Sequence, residues 1–229
     1  MISSLALHGL HTSRASRKKL PRPFYTRSAL LVAPSLIGKY LIRSVRGRVL
    51  IGMIVETEAY LPHDAASHAF RGETQRNRVM FRRGGYLYVY FTYGMHHCAN
   101  VVTGKAGAGE AVLIRAAEPV EGIEIMIKNR HTSGQMGRST RPRMHSRQPF
   151  AAPERNLTNG PARLCEAFGL TRKQDGEDLT GKNIFIGKGK KIHRSSLGRS
   201  TRIGIRLGKK KRWRFFLKGN PWVSRKPHG

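Results

Sequence analysis

The most regular pattern of apolar and polar positions lies between Val49 and Tyr60, where VLIGMIVETEAY predicts the chain's strongest strand. Under a two-residue period Ile54, Glu56, Glu58 and Tyr60 share one face of it. Short apolar runs at Tyr86–Phe91, Ala99–Val102 and Glu110–Ala116 predict three more strands, the first two flanking a turn at Tyr93-Gly94. Ile184–Ile186, Thr201–Ile205 and Trp213–Leu217 predict further short strands, the last two joined by Gly208-Lys209-Lys210-Lys211. Helical spacing occurs in three places. Ala29–Tyr40 holds one segment, with Pro34 placing its better half at Ser35–Leu41. Pro119–Lys128 opens on proline and sets Ile123, Met126 and Ile127 on one face. Gly160–Leu170 has Pro161 in its first turn and Gly169 near its end. Short strands mixed with few helices, without a βαβ rhythm, predict an α+β fold around an antiparallel sheet.

Between these elements lie segments without a period. Residues 1–24 read as a basic, disordered tail ending at Pro21 and Pro23. Leu61–Arg83 reads as a long functional loop holding His63, Asp64 and His68. Residues 129–155 read as a flexible basic loop. A chain of 229 residues is long enough for one real core, so the expected organisation is a tail and a single domain over 25–229.

Charge narrows the partners. The chain carries 43 Lys+Arg against 13 Asp+Glu, a net +30. Such a surface attracts polyanions, because Lys and Arg displace counterions from phosphates. A solvated basic surface, or the tails of a ribosome-associated protein, gives the same total. The acids are unevenly placed: all lie between Glu56 and Asp178. A general base must come from that middle segment or from a histidine. Cys98 and Cys165 are too few for a disulfide framework. No run of about eighteen apolar residues exists, so no membrane span is expected. The Ser/Arg-rich start shares its composition with organellar transit peptides, but a basic tail is the simpler reading.

Two constellations carry candidate chemistry. Glu56 and Glu58 stand two apart in an apolar strand, and carboxylates suit acid/base work. Tyr88, Tyr90, Phe91 and Tyr93 crowd one short run, and aromatic rings suit stacking on bases. Each has a plainer reading. Glu56 fits a structural strand acid, and Glu58 alone is open between that and a base. Tyr88 and Phe91 fit the core, and Tyr90 and Tyr93 alone would too. Asn100 alone reads as a strand-end residue, and Arg115 alone as a partner of Glu118 or Glu110. His96-His97-Cys98 suggests a metal, but neighbouring strand residues face opposite ways. Only His96 and Cys98 would share an ion, with no further ligands at suitable spacing. No metal and no cofactor are expected. The basic run Lys209–Arg214 reads as a turn touching phosphate.

Taken together, VETEAYL, His68, RNRVMFRRGGYLYVYFTYGMHHCANVV, AVLIRAAEP, NGPARLCEAFGL and RFFLKGNPWVS resemble the alkyladenine (3-methyladenine) DNA glycosylase family, of the methylpurine-DNA glycosylase type. The blocks run from residue 28 to 224 in the family's order. The resemblance implies one α+β domain around a curved antiparallel sheet, with a protruding β-hairpin that enters the DNA minor groove. It implies a monofunctional N-glycosylase in DNA repair. That enzyme flips alkylated purines out of double-stranded DNA as a monomer, without metal, cofactor or covalent intermediate. Its place is the cytoplasm, with the nucleoid, in a bacterium, and otherwise the nucleus or an organelle. Carried over by residue, Glu58 is the base that activates water, and Arg115 helps position the water and the backbone. Tyr60, His68 and Tyr90 hold the flipped base. Asn100 excludes guanine, and Tyr93 fills the vacated stack. The family also directs a backbone carbonyl at the water, near Ile203–Ile205. The loop from Tyr60 to His68 is one residue shorter than the family's. The rival from another class is a catalytically inactive nucleic-acid-binding relative, which has no need for Glu58, Tyr90, Asn100 and Arg115 together.

Overall fold

The computed structural model describes residues 18–92, 94–132 and 156–224. Its centre is β2 (Arg48–Tyr60), a strand of 13 residues with an almost wholly buried second half. One edge of β2 pairs along its length with β5 (Glu110–Glu121). The other edge is shared. Its first half pairs with β1 (Tyr40–Val45), and Glu56–Glu58 pair with β8 (Arg214–Leu217). Register shifts at Ile51/Gly52, Ile54/Glu56 and Glu56/Thr57 mark the bulges where the strand changes partner. Bulges of this kind bend a strand and raise its twist.

Outward from β5 come β4 (His96–Thr103) and β3 (Leu87–Thr92), joined by a three-residue turn. Outward from β1 comes β6 (Ile184–Gly187), while β7 (Leu197–Ser200) pairs with β8. The order is therefore β3-β4-β5-β2-β1-β6, every pair antiparallel, with β8 and β7 branching from β2. The fold is a single α+β unit around a curled antiparallel sheet. Among the described residues no helix is long and apolar enough to cross a membrane.

Among the described residues, four α-helices border the sheet. The short α1 (Arg22–Tyr25) buries Tyr25. Helix α2 (Ala29–Leu36) buries Ala29, Val32, Ala33 and Leu36, spaced three and four apart, in the main core. Its first N–H, on Ala29, donates to the Glu110 carboxylate at 2.7 Å. Helix α3 (Ile123–Thr132) packs on α4 (Pro161–Phe168), which sits under β4 and β5. Gly169 follows α4 at φ 64, and Leu170 N–H donates back to the Cys165 carbonyl at 2.7 Å. Both features belong to a left-handed helix stop, which glycine adopts without strain.

Several expectations need correction. The first helix occupies Ala29–Leu36, before and across Pro34, and Tyr40–Leu41 belong to β1. Gly38, at φ 80, turns the chain so that Tyr40–Val45 pair with β2, and that pairing outweighs helical spacing. Pro119 lies inside β5, opposite Gly52, and its helix starts only after Gly122. Thr201–Ile205 form no strand; Leu197–Ser200 do. Phe91 is 43% exposed against His97, and only Tyr88 of that pair is core. Residues 1–17 and 133–155, most of the expected tail and basic loop, lie outside the described residues. Leu20 is buried, and its N–H bonds the Ile186 carbonyl at 2.9 Å.

Candidate active site

Strand alternation and the bulges of β2 place Glu56 and Glu58 side by side beneath Arg115 of β5. Both are completely buried. Their surroundings differ in kind. Glu56 accepts from Arg115 Nε at 3.0 Å and Arg214 Nε at 2.7 Å. It also accepts from Ser224 N–H at 2.6 Å and Ser224 Oγ at 2.9 Å. Three of these bonds fall on Oε1 and one on Oε2, and together they tie β2, β5, β8 and the segment at Ser224 to one carboxylate. Arg214, which the sequence suggested as part of a phosphate-touching turn, is instead a buried partner of Glu56.

Glu58 is held by fewer and more varied groups. Tyr60 Oη donates to Oε2 at 2.8 Å, and Ile203 N–H donates to Oε1 at 2.8 Å. Arg115 Nη1 stands 3.3 Å from Oε1. Burial works against the charge on Arg115, yet Glu58 and then Glu56 outweigh it and hold its pKa above the ordinary arginine value. Burial, followed by the Glu58 charge, pushes the Tyr60 phenol well above its usual range, so it remains a donor.

A pocket of about 420 Å³ opens over this pair, lined by Tyr60, His68, Tyr90, Asn100, Arg115 and the segment Ile203–Leu207. That is within the range of small-molecule clefts, roughly 300–1,000 Å³. Aromatic rings form one side. His68 and Tyr90 meet edge to face with centroids 4.4 Å apart, and Tyr88 lies 5.6 Å from Tyr90. The Tyr88 hydroxyl bonds His68 Nδ1 at 3.0 Å. His68 is open to solvent on its outer side, but burial by these rings, then Arg76, lowers its pKa. The imidazole is therefore neutral at neutral pH. Burial also raises Tyr90, first by desolvation and then by Cys98. Desolvation raises Tyr88 as well, to about 12. Asn100, on β4, is buried and fixed by a 3.1 Å bond from Nδ2 to the Tyr88 carbonyl.

The structure thus gathers Arg115, Tyr60, His68, Tyr90 and Asn100 around one cleft, with Glu58 buried behind Tyr60 and Arg115, although 57 positions separate Glu58 from Arg115. Tyr93 falls outside the described residues; its neighbours Gly94 and Met95 are exposed, Met95 at 64%. Glu118 and Glu110, the plainer partners for Arg115, are engaged elsewhere, by Asn220 and Ala29. His96 lies 3.6 Å from Glu166, and Cys98 lines the pocket beside Tyr90. Among the described residues no group of three His, Cys, Asp or Glu is placed to hold a metal. None of the described residues lining the pocket is a lysine. Sequence reasoning gave no site role to Arg214 and Ser224, the anchors of Glu56, or to Arg202, which stacks on Tyr60. The block RFFLKGNPWVS, which begins at Arg214 and ends at Ser224, was the signal for the first two, and nothing marked Arg202 among the basic residues.

Known proteins share this pattern. The model of the family described as Methylpurine-DNA glycosylase (MPG) matches residues 23–221. A protein of Carboxydothermus hydrogenoformans is 49% identical over 208 residues, which is 90% of this chain and 99% of that protein. One from Prosthecochloris aestuarii is 43% identical, over 89% of this chain and 90% of its own length. One from Alkaliphilus oremlandii is 40% identical, over 91% of this chain and all of its own. All three bear the name "Putative 3-methyladenine DNA glycosylase".

Proposed function

The chain belongs to the methylpurine-DNA glycosylase family and is a DNA N-glycosylase of DNA repair, and from that premise we propose how its pocket works. The target purine is flipped from double-stranded DNA and stacks among Tyr60, His68 and Tyr90. Glu58 is the base. An alkylated purine such as 3-methyladenine is cationic and leaves with the electrons of the glycosidic bond. Water then bonds the anomeric carbon and gives its proton to Glu58. The carboxylate also balances positive charge building on the sugar. The protein acts as a monomer.

One observation carries this reading: Glu58 is a buried carboxylate directly behind the wall of an aromatic cleft, held by a phenol, a backbone N–H and a guanidinium of three residues that line it, Tyr60, Ile203 and Arg115. The electrostatics agree with it. Neutral His68 and protonated phenols do not repel a cationic base, and rings facing a cation gain a cation–π contribution. The pocket also offers no lysine for a Schiff base among its described residues, which favours direct hydrolysis. The test is release of free base from duplexes, each carrying one lesion, by the purified protein. Alkylated purines should be released, and intact duplex should give no product.

Two variants probe the walls of the cleft. Asn100 is pinned to the Tyr88 carbonyl, so its side chain has one orientation and crowds the exocyclic amine of guanine. Asn100→Ser should raise excision of normal guanine relative to adenine lesions in a single-turnover assay; an unmoved guanine rate leaves Asn100 with a structural role only. Tyr93, which in sequence falls between β3 and β4, is the proposed wedge that fills the stack. Tyr93→Ala should lower affinity for a lesion duplex by about 1–3 kcal/mol, the scale of base–aromatic stacking. Equal affinity and equal flipping, read by a fluorescent base at the lesion, would move the wedge to Met95 or His96.

A further inference from the structure

Segment Thr201–Leu207 forms one wall of the pocket, yet it belongs to no strand or helix. Its Ile203 N–H nevertheless meets Glu58 at 2.8 Å. A backbone donor in an irregular segment needs something else to fix it. The residue beside it, Arg202, is the buried cation that reaches every neighbouring piece. Its Nη1 donates to the Ala59 carbonyl at 3.0 Å, one residue from Glu58 in β2. The same nitrogen pairs with Asp64, and both side chains are wholly buried. Asp64 lies four residues from His68, in the loop forming the opposite wall. It is held further by Lys211 Nζ at 3.4 Å and by Ala66 N–H at 3.4 Å. The Arg202 guanidinium lies 4.6 Å from the Tyr60 ring centroid and 5.2 Å from that of Trp213.

Arg202 thus touches, through its backbone or its plane, both neutral donors that hold Glu58: Ile203 N–H and the Tyr60 phenol. It also ties the His68 loop to the Ile203 wall. Gly208 closes over the pair. At φ 65, it occupies a place where a Cβ would fall 2.7 Å from the Asp64 carboxylate and 3.0 Å from Arg202 Nη2. The buried Nε and Nη2 make no protein hydrogen bond, so the guanidinium is not there to complete a full set of bonds. Its contacts converge on placement.

We propose that Arg202, paired with Asp64, is a positioning residue for catalysis: it sets the distance and direction of the two donors on Glu58 and the width of the pocket. The inference rests on Glu58 being the base. A shift of about 1 Å at a reacting group costs on the order of a hundredfold in rate, so a clamp at this point matters to chemistry. Lysine cannot replace it, because a point charge lacks the planar fork that stacks on Tyr60 while reaching Asp64 and the Ala59 carbonyl.

The test is single-turnover base release over a range of enzyme concentrations for the parent, Arg202→Lys, Asp64→Asn and Glu58→Gln, alongside affinity for the lesion duplex. Arg202→Lys and Asp64→Asn should each slow release by about 10- to 100-fold at saturating enzyme, with duplex affinity retained. The loss should fall on the limiting rate and leave the half-saturating concentration in place, a split that a merely structural role would not produce. Asp64→Asn keeps the shape and one acceptor, so it decides the matter if Arg202→Lys does not fold. A lower melting temperature with an unchanged limiting rate would overturn the proposal and leave the pair structural. Parental turnover in Glu58→Gln would instead overturn the reading of Glu58 as the base.

Discussion

Glu58→Gln should lose base release by at least about two orders of magnitude, the scale of general-base catalysis. The amide keeps the volume and an oxygen that can still accept from Ile203 N–H at the 2.8 Å site. It cannot take a proton from water, and it carries no charge to balance the sugar cation. Lesion-DNA affinity should survive, because the basic surface and the aromatic rings are untouched. Turnover near the parental rate would sink the assignment. Glu56 is no ready substitute: its oxygens already accept from two arginines and from Ser224.

Glu56→Ala should have the largest effect on stability. Removing one partner of a buried ion pair costs about 3–5 kcal/mol, because the remaining charge stays out of water. Here two guanidiniums, those of Arg115 and Arg214, 8% and 2% exposed at the side chain, each lose a carboxylate partner, and Arg115 keeps Glu58. Ser224 N–H also loses its acceptor. This carboxylate fastens β8 and the segment up to Ser224 to β2 in addition to the β2–β8 ladder and the packing of Phe215 and Trp222. Urea unfolding of Glu56→Ala should show a lower midpoint with an unchanged slope. The exposed Glu73→Ala should fall within about 0.5 kcal/mol of the parent. Equal midpoints for Glu56→Ala and the parent would mean that the cluster contributes little and that Arg115 is fixed by other means.

The sequence displayed some of this and hid the rest, for physical reasons. Strand β2 was legible because Val49–Tyr60 is one long apolar, β-branched run broken only by Gly52 and the acids, and a strand's period of two puts Glu56 and Glu58 on one face. Helix α4 was legible because Pro161 and Gly169 mark its ends by backbone chemistry alone. Thr201–Ile205 misled because Ile203 and Ile205 are apolar for a different purpose: they line the pocket, and that spacing imitates a strand. Pro119 misled because a proline that starts a helix elsewhere here sits in the long strand β5, opposite a bulged stretch of β2. The ion pairs were not legible at all. Asp64 and Arg202 are 138 positions apart, and Glu56 and Arg214 are 158 apart. Among 43 basic residues, local pattern cannot say which few are buried. Glu58 and its cleft were read through the family's blocks; the geometry adds why Glu56, two residues away, has a different task.

In the proposed reaction water activated by Glu58 hydrolyses the glycosidic bond, with no covalent link between protein and sugar. The most direct measurement is to run the reaction on a methylated duplex with borohydride present. Free methylpurine should appear, and the DNA strand should remain intact at an abasic site with no trapped protein–DNA adduct. A borohydride-trapped protein–DNA adduct with strand cleavage would contradict the account, because the sugar would then have passed through an amine of the protein.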